Sequence, residues 1–89
     1  MNITDAKIFA GELSNDLSTL DLHGFFPSEA LEKLELFLYE QNQNNIQIVK
    51  VIYGAGTGKL KTKVLEYLKE HPLVDAIKDE GGAAIVILS

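Results

Sequence analysis

Eighty-nine residues, 46% of them hydrophobic and 24% charged, are enough for one small domain with a single core, and too apolar for a disordered chain. The absence of cysteine excludes a disulfide framework, a thiolate metal site and a cysteine nucleophile. No apolar run approaches the roughly 18 residues of a membrane span and no basic-then-apolar signal opens the chain, so a cytoplasmic, soluble domain is expected. The net charge of −5 argues against a general nucleic-acid binder.

Residues 1–17 show mixed polarity without a sustained period and read as an N-terminal leader or arm, with the domain proper over 18–89. Thr19 to Leu22 alternates as a strand does: Leu20 and Leu22 face one way, Thr19, Asp21 and His23 the other. Gly24 ends it, and Pro27 suits the first position of a helix with Glu29 in its first turn. Ala30, Leu31, Leu34, Phe37 and Leu38 recur at helical spacing, Glu29 and Lys33 form a supporting pair four residues apart, and the polar run Gln41 to Asn45 stops the helix. The acids Glu29, Glu32, Glu35 and Glu40 read as its solvated face.

Ile46 to Tyr53 has almost no polar face, the pattern of a central strand covered on both sides. The glycine-rich loop Gly54–Gly58 follows, then a second helix with Leu60, Val64, Leu65 and Leu68 inward, ended by Pro72. His71 reads as no more than a helix C-terminal charge. Leu73 to Lys78 and the wholly apolar Ala83 to Leu88 are two further strands, the last a central one, joined by the hairpin signal Asp79-Glu80-Gly81-Gly82. The order is strand, helix, strand, helix, strand, strand. A strand–helix–strand unit favours a parallel pair, which brings Asp21-Leu22-His23-Gly24 and Gly54–Gly58 to one sheet edge, where ligands bind in open α/β sheets.

Three glycines in five residues allow a backbone that offers successive N–H groups to an anion, and the start of the helix behind adds favourable partial charge. Neither the Walker spacing nor the dinucleotide fingerprint is met: Gly54 precedes Gly58-Lys59 by too few residues, Leu60 replaces the hydroxyl, and Lys59 takes the third glycine's place. The loop alone reads equally as a tight strand-to-helix turn. Charge adds a second signal. Residues 1–40 hold eight acids and two lysines (−6), residues 41–65 four lysines and no acid (+4), and residues 66–89 five acids and two lysines (−3). Lys59, Lys61 and Lys63 thus crowd a helix start that the helix dipole would rather fill with acids, the local conflict expected of an anion site; a solvated lysine face is the alternative. Every basic residue is lysine, so a phosphate would meet point charges, not forks. On the other strand, Asp21 could orient or charge the imidazole of His23, or bind a divalent cation such as Mg or Mn. His23 could then move a proton for a water attacking phosphorus, or serve as a structural hydrogen-bonder.

Together these motifs resemble the small MutS-related (Smr) domain family. Leu20-Asp21-Leu22-His23-Gly24 matches its Leu-Asp-x-His-Gly, and Tyr53-Gly54-Ala55-Gly56-Thr57-Gly58-Lys59-Leu60-Lys61 its His-Gly-x-Gly-Thr-Gly-x-Leu-Arg type segment. The resemblance implies an α/β two-layer sandwich, a mixed four-stranded sheet with two helices in the order β-α-β-α-β-β, similar to the C-terminal domain of a bacterial translation initiation factor. It implies nicking or RNA-cleaving endonucleases, or modules that bind branched or structured nucleic acid or the ribosome, often attached to MutS-like ATPases that restrain recombination. By carry-over Asp21 and His23 are the catalytic candidates, and Gly54, Gly56, Thr57 and Gly58 the phosphate-facing loop with Lys61 in the place of a basic residue; Gly24, Tyr53, Lys59 and Lys63 complete the expected nucleic-acid edge. Tyr53 stands where many members have histidine and Ala55 where lysine is frequent. Tyr53 is a poor base, though it could stack on a nucleobase or donate to a phosphate. A protein-interaction module presenting the acidic helix Glu29 to Glu40 to a basic partner is the third reading. Nothing in the sequence calls for an oligomer, so a monomer is expected.

Overall fold

The computed structural model describes residues 17–89; the leader expected over 1–17 falls almost wholly outside them. The elements run β1 (Ser18–Asp21), α1 (Pro27–Gln43), β2 (Ile48–Ile52), α2 (Lys59–Glu70), β3 (Val74–Asp79) and β4 (Ala83–Leu88). They form one mixed sheet in the order β1-β2-β4-β3, with β1 parallel to β2 and the other pairs antiparallel. This is the α/β architecture expected from the sequence.

Alternation decides which face is dry. Val49 and Val51 of β2 and Ala84, Val86 and Leu88 of β4 point toward Ala30, Leu34 and Leu38 of α1 and Val64 and Leu68 of α2, all of them buried. Ile85 and Ile87 lie on the other sheet face, also buried, but Ile48 and Ile52 of β2 are only half-buried there. The expectation that β2 is covered on both sides is therefore corrected; its isoleucines flank β4, which is the more enclosed of the two central strands. Lys50 shares that second face, opposite Ile85, so it stands apart from the lysines that follow the glycine loop.

α1 begins at Pro27 as expected, yet the Glu29–Lys33 pair does not form: Lys33 Nζ sits 4.9 Å over the ring of Phe25, where a cation gains from the aromatic face. α2 ends where Pro72 forces His71 into an extended conformation (φ −77°, ψ 131°). His71 is no exposed terminal charge. It is 7% exposed, its Nδ1 accepts the Leu73 N–H at 3.1 Å, and its Nε2 lies 2.8 Å from Glu35 Oε1. An Nδ1 that accepts leaves the proton on Nε2, so His71 is a neutral strut donating to Glu35.

No helix among the described residues is long and apolar enough to cross a membrane.

Candidate nucleic-acid site

The parallel pairing of β1 and β2 carries Leu22 on to donate its N–H to the Ile52 carbonyl at 2.7 Å, so both strands end side by side. The β3–β4 hairpin reaches the same edge. There the Gly82 carbonyl accepts both the Tyr53 N–H (3.0 Å) and the Gly54 N–H (2.8 Å), pinning the start of the glycine loop. Gly54 adopts φ +82°, and a Cβ on it would stand 3.4 Å from the Cβ of His23. The two sequence motifs are thus in direct contact.

Asp21 and His23 project from one side of β1 and meet: Asp21 Oδ1 lies 2.6 Å from His23 Nδ1 and also accepts the His23 N–H at 3.1 Å. The hydrogen bond from the imidazole, then that from the backbone, holds the Asp21 carboxyl below its ordinary value and keeps it ionised. A carboxylate on Nδ1 places the neutral ring's proton there and turns the Nε2 lone pair outward. With side chains 70% and 49% exposed, His23 and Asp21 are open to a substrate.

Beside this dyad runs a groove of about 460 Å³. His23, Gly24, Phe25 and Phe26 form one wall, the loop Gly54–Gly58 the floor, and Leu60 and Lys61 the far side. A second hollow of about 420 Å³ continues it across Thr57 and Gly58 to Lys59, Thr62 and Lys63. Gly58 caps α2 in the left-handed conformation (φ +85°) with no side-chain cap and no acid in the first turn. Only a long 3.5 Å contact from Thr57 Oγ1 serves the Lys59 N–H, so the helix start keeps donors for an anion. Gly56 and Thr57 are exposed on the loop's crest.

Two expectations change here. Tyr53 is 3% exposed, and its hydroxyl donates to Asp79 Oδ1 at 2.6 Å with the Ala83 carbonyl 3.0 Å away. It braces the hairpin beneath the loop and offers no open face to a base. Burial first, then the bond to Asp79, raises its pKa. Lys61 is not a free point charge: its Nζ lies 3.0 Å from Asp79 Oδ2. Asp79 gathers the Tyr53 hydroxyl, the Lys61 ammonium and the Gly81 N–H, and these hold its pKa down at about 2.

Sequence reasoning missed Asp79, which it read only as part of a turn, and Phe26, which is 81% exposed at the mouth of the groove. The signal for Phe26 was present: a second phenylalanine wedged between Gly24 and Pro27, outside any helical or strand period. For a divalent cation, the described residues contain no group of three or more carboxylates or imidazoles able to hold one.

The Smr domain family matches residues 20–89. The chain is 40% identical over 75 residues to the endonuclease MutS2 of Listeria welshimeri, a match that covers 80% of this chain and 10% of that protein. Among solved structures it is similar to the Smr domain of Thermus thermophilus MutS2 (TM-score 0.78, 28% identity, 82% of this chain and 99% of that one). It is also similar to the human small-MutS related domain (TM-score 0.67, 29% identity, 79% and 99%). This chain belongs to the Smr domain family. It spans about 10% of the length of the MutS2 relatives that it matches.

Proposed function

We propose that the chain engages DNA or RNA through this groove and hydrolyses a phosphodiester bond without sequence preference. The observation that carries the proposal is the Asp21–His23 contact of 2.6 Å standing against the glycine loop at one sheet edge. Its relatives' name, endonuclease, supports the same chemistry.

A phosphate seated over Gly56 to Lys59 meets backbone N–H groups and the α2 start, with Lys59 and Lys63 flanking the strand. His23 Nε2 takes a proton from water as its oxygen bonds to phosphorus. The bond from phosphorus to the leaving oxygen breaks, and that oxygen takes a proton from solvent. Asp21 holds the ring's orientation and stabilises the imidazolium that forms, while the loop donors stabilise the charge growing on the phosphoryl oxygens. Among the described residues no group of three metal ligands gathers, and no step is routed through Mg or Mn. Phe26 offers an exposed ring on which a base stacks.

A second reading, binding without cleavage, is favoured by one observation: Tyr53 stands in the place of a second histidine and its hydroxyl is engaged by Asp79, leaving a single imidazole in the groove. The two part in one assay on supercoiled plasmid and structured RNA, each with Mg, with Mn and with chelator. Nicked circles or RNA fragments support hydrolysis. Intact substrates together with salt-sensitive binding leave the second reading, and no binding at low salt overturns both.

A further inference from the structure

The helical layer carries a feature that nucleic-acid chemistry does not use. α1 is apolar on two stripes. Ala30, Leu34 and Leu38 face the core with Leu31 packed half-buried at its margin, whereas Leu36 and Tyr39 lie toward the outside, 73% and 46% exposed. Scattered exposed leucines need no explanation, but these line a hollow. Leu31, Leu36 and Tyr67 of α2 border one of about 510 Å³, and Tyr39, Tyr67 and His71 a second of about 280 Å³; the two share Glu35 and Tyr67 and so form one trough. It shares no lining residue with the glycine-loop groove. From Leu31 to Tyr39 along α1 it extends about 12 Å, enough for about two turns of a helix laid beside it.

Its charge is of one sign. Glu32, Glu35 and Glu70 line it and no lysine does. The 2.8 Å contact with His71 Nε2 fixes the Glu35 carboxyl, and the Tyr39 and Tyr67 rings stand 5.6 and 5.5 Å from the imidazole centroid, so the floor is preformed. That chemistry rejects three occupants. A nucleic acid or an anionic lipid surface would meet like charge, and a second copy would oppose carboxylates to carboxylates. We propose that this trough docks a short amphipathic helix of a partner protein, with leucine-like side chains on Leu31, Leu36 and Tyr67 and lysines or arginines facing Glu32, Glu35 and Glu70. Because the trough shares no lining residue with the glycine-loop groove, a partner held here leaves that groove open.

The probe is a synthetic 14-residue amphipathic helix of leucine, alanine and lysine, titrated into the 15N-labelled chain and followed by amide shifts. Saturable shifts confined to α1 and α2 are expected, weakened at least tenfold in Leu36→Ser and in the double variant Glu32→Lys, Glu70→Lys, with plasmid nicking unchanged. The same peptide with glutamate for lysine should not bind. Absence of saturable shifts in the wild-type chain, equal binding by Leu36→Ser, or concentration-dependent self-association through this face would each overturn the proposal. Leu36 is exposed, so its variant should fold with an unchanged thermal unfolding midpoint, which is measured alongside.

Discussion

Tyr53 and Asp79 meet across 26 residues, hydroxyl to carboxylate at 2.6 Å, and this bond ties the end of β2 to the end of β3 directly under the glycine loop. Asp79 also holds Lys61, so one carboxylate links the hairpin, the loop's base and the first turn of α2. Removing the hydroxyl in Tyr53→Phe leaves the ring in its buried place and should cost about 1 kcal/mol in urea unfolding.

The same contacts give a pH dependence. Asp79 titrates at about 2 when folded against an ordinary value of 3.8. A depressed carboxyl stabilises the fold above the unfolded value and loses that contribution as pH falls toward the folded one. The stability difference between wild type and Asp79→Asn should therefore be flat from pH 5 to 7 and shrink between about pH 4 and 2. Carboxyl NMR titration should show Asp79 moving upward in Tyr53→Phe and in Lys61→Ala.

Gly54 and Gly82 touch, yet they should respond differently to alanine. At Gly54 the positive φ resists a methyl group, which would stand in contact with the His23 Cβ at 3.4 Å, so Gly54→Ala should lose about 1–2 kcal/mol and perturb the imidazole's surroundings. At Gly82 a Cβ would find its nearest atom, the Gly54 carbonyl carbon, at an ordinary 3.7 Å. Gly82→Ala should fold and bind nearly as wild type. Urea unfolding and the His23 ring shifts report both.

The three lysines after the loop should not be equal. Among the described residues no carboxylate stands within ion-pair distance of Lys59 or Lys63, whereas Lys61 is shared with Asp79. Lys59→Ala and Lys63→Ala should each lower the slope of log affinity against log salt by roughly 0.7 to 0.9, and Lys61→Ala by less. Phe26→Ala, at an exposed ring, should leave the unfolding midpoint unchanged and weaken single-stranded oligonucleotide binding by about 1–3 kcal/mol.

What could be read from the sequence was what local chemistry specifies. Leu20 and Leu22 alternating with Asp21 and His23 announce a strand with a polar edge. Gly54 and Gly58 announce left-handed turns, and a helix between two strands announces the parallel pair that joins them. The rest depends on strand order, which no local signal carries. Because β4 inserts between β2 and β3, the hairpin arrives beneath the loop, Asp79 reaches Tyr53, and an aromatic that looked free for a base becomes a brace. His71 finds Glu35 from 36 residues away for the same kind of reason, once α1 and α2 pack together. Lys50 counted toward a basic stretch in sequence, but the period of two in β2 puts it on the other face of the sheet.

The central claim, that His23 accepts a proton in strand scission, is tested most directly by the nicking rate of His23→Ala with and without added imidazole. His23 is exposed, so the variant should fold with an unchanged unfolding midpoint, lose nicking to background, and regain part of it as imidazole is raised. Nicking by His23→Ala at the wild-type rate would contradict the account.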